Sequence, residues 1–425
     1  MMLRHVAPLF AVLPLLGFAA CGGSTSSSGP TQNQDTTGDD AGTTGDTVDA
    51  APNTGPDPID PTYPTAHPAL PQVDYNGGPV LHATHIINVT VDGDAQRDQL
   101  EQFSSIITTT TWWDTVSDGY CDSSGGCVGH GDAGTPVHLP TTAFTSTSFT
   151  DSSQGGAATL QDWITSMISA GTFQAPTADT LYALYFPDSS YSVNLDGSDS
   201  CSSFGGYHNS YTYPGNGTIP ASNVQYSVVP RCDSSIQTTT VAASHEYIEA
   251  ATDPQVGAGT AYYMQDQLWG LLGGEVGDLC ETGKNSDTTE SGFTVQRIWS
   301  NKAAKASHDP CVPAPAGDVY FNVAPNKETI SAKVGQTVTI PLTAFSDAPI
   351  DNWTLSGRDT SAQFGGTSVL SFAFDKTTVN NGTKITMSVT VTAAPDPQFG
   401  GAALFSISSK SGTTSHKWPG AIIVQ

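Results

Sequence analysis

Between residues 81 and 315, short apolar runs alternate with longer stretches of helical periodicity, and this alternation constrains the fold more than any other feature of the chain. The apolar runs have the length of strands and lie at 85–91, 180–186 and 224–229. The stretches with helical periodicity lie at 95–107, 158–170 and 236–252. Pro254 prevents the last helix from continuing. Strands that alternate with helices predict an α/β domain with a mixed sheet.

Residues 316–425 have a different pattern, in which apolar and polar residues alternate within short runs. The runs are separated by turn residues and lie at 319–323, 333–340, 369–374, 384–391, 403–408 and 421–424. Alternation with a period of two is typical of half-buried strands. We therefore expect an all-β, immunoglobulin-like sandwich that follows a hinge at 313–317.

The charge of the chain excludes several classes of protein. Asp and Glu number 40 against 14 Lys and Arg, which gives a net charge of −26. Such a chain repels a phosphate backbone, so we expect no nucleic acid partner. The 43 glycines and 28 prolines exclude a coiled coil. Of the acids, 25 lie at 81–315 beside six bases, and this excess either keeps the domain soluble or concentrates cations near its carboxylates.

The first 21 residues predict export. Arg4 and His5 precede the apolar run 6–20, which is too short to span a membrane comfortably. The run ends at Phe18-Ala19-Ala20-Cys21, which resembles the lipobox of bacterial lipoproteins and implies a lipid on Cys21 that anchors the chain to a membrane. Phe18 stands where the lipobox usually has Leu, so ordinary cleavage by signal peptidase is the alternative. Gly22 favours the bacterial outer membrane or cell surface as the destination.

Residues 22–80 contain mainly Ser, Thr, Gly, Asp and Pro, with few large apolar side chains. Such a segment cannot bury enough apolar surface to offset the entropy lost on ordering. We expect a disordered tether between Cys21 and the folded part of the chain.

The six cysteines that follow Cys21 predict disulfides, because none of them has the C-x-x-C spacing of a zinc knuckle. Six cysteines allow fifteen pairings. We favour pairs of sequence neighbours, because each then closes a short loop: Cys121 with Cys127, Cys201 with Cys232, and Cys280 with Cys311.

The predicted helix at 236–252 contains the motif His245-Glu246-Tyr247-Ile248-Glu249. His245 and Glu249 are four residues apart and therefore lie on one face of the helix, close enough to bind one metal ion. In the related H-E-x-x-H motif, two histidines bind zinc and the glutamate between them acts as the general base. Glu246 would have this catalytic role here. A glutamate at the second ligand position makes Ca²⁺ an alternative to Zn²⁺.

A third ligand is expected downstream. Glu275 follows Glu249 by 26 residues, a separation comparable to that in zinc peptidases whose last ligand is a downstream glutamate. Asp278 is a candidate for orienting His245, and His208 is a further candidate ligand, ahead of His130 and His138. The simpler interpretation is that all these side chains form ordinary surface hydrogen bonds and end a helix.

Several segments between 81 and 315 also resemble the phosphate-induced, EXORDIUM-like family of plant cell-wall proteins and their bacterial relatives. The matching segments occur in the family's order and are 83–107, Trp112-Trp113 with Tyr120, 182–186, 201–208, 245–254 with 261–263, and 275–280. The resemblance implies an extracellular or wall-associated protein with a mixed α/β fold, similar to that of zincins. It does not by itself imply catalysis, which depends on the residues named above.

These observations predict four segments: a lipoprotein signal peptide at 1–21, the tether at 22–80, an EXORDIUM-like metallohydrolase domain at 81–315 and the sandwich at 316–425. The expected reaction is hydrolysis of an amide bond in a peptide substrate. The alternative is a non-catalytic adhesion protein that binds cell-wall or matrix polysaccharide. Trp353 and Trp418 are candidates for stacking on sugars, although most aromatic residues of a sandwich belong to its core.

Overall fold

The computed structural model describes residues 59–425 except 145, 154–156, 258, 272–273, 282–284 and 328, and only the backbone of 271, 364 and 398. Strands outnumber helices in this part of the chain. The helices are α1 (Arg97–Ile107), α2 (Thr111–Ser117), α3 (Thr159–Ser169), α4 (Ile236–Thr252), α5 (Asp278–Glu281) and α6 (Asn301–Lys305). Short 3₁₀ helices span Thr141–Ala143, Trp269–Leu271, Ser361–Phe364 and Pro397–Phe399.

The strands fall into two groups. The first group is β1 (Asp74–Tyr75), β2 (Ala83–Val91), β3 (Gly129–Ala133), β4 (Val137–Leu139), β5 (Ser148–Asp151), β6 (Thr180–Tyr185), β7 (Ser192–Leu195), β8 (Ser198–Asp199), β9 (Tyr207–Tyr213), β10 (Ser222–Val229), β11 (Tyr262–Tyr263), β12 (Asp287–Glu290), β13 (Phe293–Gln296), β14 (Ile298–Trp299) and β15 (Cys311–Val312). The second group is β16 (Phe321–Pro325), β17 (Thr329–Ala332), β18 (Thr337–Ser346), β19 (Trp353–Asp359), β20 (Leu370–Phe374), β21 (Thr378–Val379), β22 (Lys384–Val391), β23 (Ala402–Ser411) and β24 (Thr414–Val424).

A mixed sheet organises the first group. Its strand order is β3-β2-β6-β10-β9, and β4 also pairs with β2. All neighbouring strands are parallel except β9, which pairs antiparallel with β10 at the edge. Adjacent residues of β2 point to opposite faces, so Ile86 packs in the cluster that contains α1 and α4, and Ile87 packs in the one that contains α3. Helices therefore cover both faces of the sheet.

Helix α4 spans the residues predicted from periodicity. The side chain of Ser235 caps its first turn by accepting a hydrogen bond from the backbone N–H of Thr238. The helix ends at Thr252, two residues before Pro254. Its residues from Thr239 to Thr252 are all buried, including the side chains of His245, Glu246 and Glu249. The cost of burying those ionisable groups must be offset by their partners.

Residues 321–424 form two facing sheets. One has the strand order β16-β18-β22-β20, and the other has the order β17-β24-β23-β19-β21. Phe321 of the first sheet packs against Trp353 of the second, with ring centroids 5.3 Å apart. The predicted all-β arrangement is therefore present. Trp353 and Trp418 are fully buried, so neither can stack on a sugar.

The predicted tether extends too far toward the C-terminus. Residues 59–80 are not a free linker, because β1 pairs antiparallel with β11 and Val73 exchanges backbone hydrogen bonds with the side chain of Asn301. Leu70, Val73 and Val80 are buried, and the burial of these apolar side chains favours docking of the segment. Residues 22–58 of the predicted tether lie outside the described part of the chain.

The packing also continues across the predicted boundary at 315. The described residues between 59 and 425 belong to one compact unit. Trp269 contacts Trp418 with ring centroids 5.3 Å apart, and one hydrophobic cluster includes residues from the mixed sheet and from the sandwich. The residues before and after the predicted hinge at 313–317 therefore share one hydrophobic core.

The disulfides are those predicted from sequence order. Cys121 pairs with Cys127, Cys201 with Cys232, and Cys280 with Cys311. Such bonds are typical of proteins exported to oxidising compartments. Among the described residues, no helix has both the length and the apolar character needed to cross a membrane.

Asn381 fixes the start of the described chain to the sandwich. Its Oδ1 accepts from the backbone N–H groups of Thr65 and Ser346, and its Nδ2 donates to the carbonyls of Asp60 and Thr62 at 2.9 and 2.8 Å. We expect Asn381→Ala to lower the free energy of unfolding by about 2–3 kcal/mol, because two buried and two partly buried backbone groups lose their partners. Chemical denaturation measures the loss.

The matched control is Asn223→Ala, because Asn223 is exposed on β10. Its unfolding free energy should stay within about 0.5 kcal/mol of the parent. An equal effect of the two substitutions would contradict the anchoring role of Asn381.

Candidate functional site

Seven ionisable side chains form a cluster at the C-terminal half of α4. They come from α4 and its end, from β9, and from the turn that leads into α5: His208, His245, Glu246, Glu249, Asp253, Glu275 and Asp278. All are buried except Glu275, whose side chain is 20% exposed. Two groups of three have ligand atoms that lie within 4.8 Å of one another, and both groups contain Glu249.

The first group contains His245, Glu249 and Asp278. His245 Nε2 lies 2.9 Å from Glu249 Oε2 and 3.7 Å from Asp278 Oδ1. Asp278 Oδ1 is buried and makes no hydrogen bond with the described residues. One imidazole nitrogen and two carboxylate oxygens thus face a common point.

Gln296 of β13 determines which nitrogen of His245 faces that point. The Gln296 amide donates from Nε2 to the carbonyl of Gly277 at 2.7 Å, so its Oε1 must be the atom that faces the imidazole. Oε1 lies 2.9 Å from His245 Nδ1 and accepts a hydrogen bond from the Nδ1–H group. In a neutral imidazole, Nε2 then carries the lone pair directed at the two carboxylates.

Glu249 is held in place by the backbone before α5. Its Oε1 accepts from the N–H groups of Gly277 and Asp278 at 2.9 and 3.2 Å, which leaves Oε2 to face His245. A Cβ on residue 277 would lie 2.8 Å from both Glu249 Oε1 and His245 Nδ1. Only glycine allows the turn to approach α4 this closely.

The second group contains His208, Glu246 and Glu249. His208 Nε2 lies 3.1 Å from the carbonyl oxygen of Asp253, which can only accept, so Nε2 is the protonated nitrogen. His208 Nδ1 lies 3.6 Å from Glu246 Oε2 and 3.8 Å from Glu249 Oε2. Both distances exceed that of a hydrogen bond.

Neither Glu275 nor Asp278 occupies the position expected for it. Glu275, the predicted third ligand, has its Oε1 3.4 Å from His208 Nε2 and lies outside the group around His245. Asp278, expected to orient His245, is instead the carboxylate that faces its Nε2. The difference arises because the turn beginning at Gly274 places Asp278, the first residue of α5, next to His245 and Glu249, while Glu275 lies beside His208.

Burial dominates the electrostatics of the cluster. It raises the pKa of Glu249 and of Glu275, and it raises the pKa of Asp253 to about 7. Burial alone lowers the pKa of His208, but the carboxylates of Glu275, Glu246 and Glu249 outweigh it and raise that pKa to about 10. The raised pKa values of these four groups mean that the packed cluster holds protons more tightly than the same side chains do in water.

The weaker candidate ligands lie elsewhere. His130 and His138 are exposed and contact Asp114 and Glu101 at 2.5 and 2.6 Å. Tyr247 points away from the cluster, because its hydroxyl bonds to Ser104.

The donor set around His245 fits a divalent cation. In a tetrahedral complex with bonds of 2.0–2.1 Å, ligand atoms lie about 3.3–3.4 Å apart. The distances of 2.9 and 3.7 Å from His245 Nε2 lie on either side of this value. An imidazole ligand favours Zn²⁺ or a similar ion over Ca²⁺, which takes six to eight oxygen ligands.

Comparison with known proteins identifies neither a family nor a function for this chain. No protein-family model matches the chain, and no curated protein matches it. Among solved structures, the chain is similar to domain 1 of VCBP3 from Branchiostoma floridae, with 12% identity over 26% of this chain and 98% of that one. The TM-score of 0.18 is too low to support any argument about fold or function. The resemblance to the EXORDIUM-like family therefore stays a prediction.

Substitution of Gln296 tests how His245 is oriented. We expect Gln296→Leu to weaken Zn²⁺ binding by about tenfold to a hundredfold, because the imidazole loses the acceptor that fixes its tautomer. Competition with a chromophoric chelator measures the dissociation constant. Gln99→Leu, at an exposed position of α1, is the matched control, and an equal affinity in the two variants would contradict the role of Gln296.

Proposed function

We propose that this chain is an exported, metal-dependent hydrolase, and that His245, Glu249 and Asp278 hold the ion. The observation that carries the proposal is the pairing of His245 Nε2 with two buried carboxylates, while Gln296 occupies Nδ1. An α/β domain similar to zincins, with the H-E-x-x-E helix packed beneath a mixed sheet, is part of the proposal.

When bound, a Zn²⁺ ion supplies Lewis-acid polarisation of a carbonyl and lowers the pKa of a water molecule. The chain's own residues determine the rest of the chemistry. Glu246 follows His245 on α4, and we assign it the role of general base that accepts a proton from the attacking water. Gln296 keeps His245 in the tautomer that can act as a ligand. The bond broken in this proposal is the amide bond of a peptide.

Export and a lipid anchor on Cys21 complete the proposal, which places the chain on the bacterial outer membrane or cell surface. Residues 1–21 lie outside the described part of the chain. The three disulfides support export, because such bonds are typical of exported proteins.

Two substitutions separate metal binding from catalysis. We expect His245→Ala to lose the bound ion, because two carboxylates without the imidazole bind it weakly. We expect Glu246→Gln to keep that ion but to lower hydrolysis at least a hundredfold, which is typical for loss of a general base. Metal analysis of the purified full chain and cleavage of a fluorogenic peptide library measure the two effects.

Glu101→Gln is the control for Glu246, because Glu101 lies on α1 and contacts His138 outside the cluster. It should leave both readouts unchanged. Negligible metal in both the parent and His245→Ala would overturn the proposal, and so would undiminished hydrolysis in Glu246→Gln.

A second function is favoured by the depth of the cluster. The side chains of His245 and Glu249 are only 2% and 1% exposed, and a catalytic ion needs access to substrate. A structural ion in a non-catalytic protein that adheres to wall or matrix polysaccharide fits such burial. In that case, chelation of the full chain should lower its melting temperature, peptide turnover should be absent with every metal, and the protein should be retained on peptidoglycan.

A further inference from the structure

We propose that the cluster binds two divalent cations that share Glu249. This inference rests on the proposed function for the first ion, at His245, Glu249 and Asp278. The second ion would be held by His208, Glu246 and the same Glu249. Three features of the structure carry the inference: the orientation of His208, the position of Glu249 and the charge of the cluster.

His208 is prepared as a ligand in the same way as His245. Its side chain is 3% exposed, and its Nε2 is occupied by the Asp253 carbonyl at 3.1 Å, so Nδ1 faces the carboxylates. Those oxygens, on Glu246 and Glu249, lie 3.6 and 3.8 Å away. The distances are too long for hydrogen bonds and close to the separation of about 3.4 Å between ligands of one zinc ion.

Glu249 lies between the two histidines. Because its Oε1 is fixed by two backbone N–H groups, Oε2 is the atom that faces both His245 Nε2 and His208 Nδ1. A carboxylate in this position can bridge two ions, which in two-metal sites lie about 3.5–4 Å apart. Gly206, which precedes β9, allows this strand to lie close to Glu246, because a Cβ on residue 206 would lie 2.8 Å from Glu246 Oε1.

When all its carboxylates are ionised, the cluster carries more negative charge than one divalent ion neutralises. Five carboxylates meet two imidazoles, and Arg231 and Arg297, which are buried, pair instead with Asp94 and Asp309. Buried carboxylates need compensating positive charge. One divalent ion leaves a net negative charge in the cluster, whereas two nearly balance it. With Glu246 engaged as a ligand of the second ion, the role of proton acceptor that the one-ion proposal gives to Glu246 would pass to Glu275, the most exposed carboxylate of the cluster.

The stoichiometry of Mn²⁺ binding tests the inference. The full chain is stripped with a chelator and titrated with Mn²⁺, and electron paramagnetic resonance is recorded at saturation. We expect two ions per chain and the hyperfine pattern of an exchange-coupled pair. We expect His208→Ala to bind a single ion with an uncoupled spectrum, while the matched control His130→Ala still binds two, because His130 is exposed and pairs with Asp114.

The possible results separate this inference from the function on which it rests. A single uncoupled ion in the parent, lost in His245→Ala and kept in His208→Ala, would overturn the second site and leave the proposed function standing. No bound ion in the parent would overturn both. The spectrum of the parent decides the question even if His208→Ala does not fold.

Discussion

The burial of carboxylates along one packed helix is the constraint on which the rest of the structure depends. Glu246 and Glu249 are fully buried on α4, and Asp253 follows at its end. Unpaired, these groups would cost several kcal/mol each. The surrounding elements are arranged to meet that cost: β9 brings His208, the turn before α5 brings backbone N–H donors, and β13 brings Gln296.

Glycine makes this arrangement sterically feasible. Gly206 lies against Glu246, and Gly277 lies against both Glu249 and His245, at distances where any Cβ would force the ligands to move. Two disulfides also restrict the segments that carry candidate ligands, since Cys201 precedes β9 and Cys280 lies in α5. The candidate ligands therefore lie on segments whose backbone positions are restricted by close packing and covalent bonds, as a preorganised site requires.

Much of the fold could be predicted from the sequence, but less of the site. The bounds of α4, and strands such as β6 and β10, follow from periodicity because both are long and regular. Strand β9 is not among the predicted strands, since Tyr207–Tyr213 is polar and lacks an apolar run. Gln296 could not be chosen from the sequence, because a lone glutamine carries no motif and acts only through its contact with His245.

The sequence by itself determined that His245 and Glu249 share a face of one helix, because their spacing of four residues sets it. It also favoured the disulfide pairs that the structure contains, because pairs of sequence neighbours close short loops. Only the tertiary structure decided that Asp278 rather than Glu275 faces His245, and that His208 joins the cluster. Those contacts join segments far apart in the chain, and their geometry depends on how the strands and turns pack rather than on local spacing.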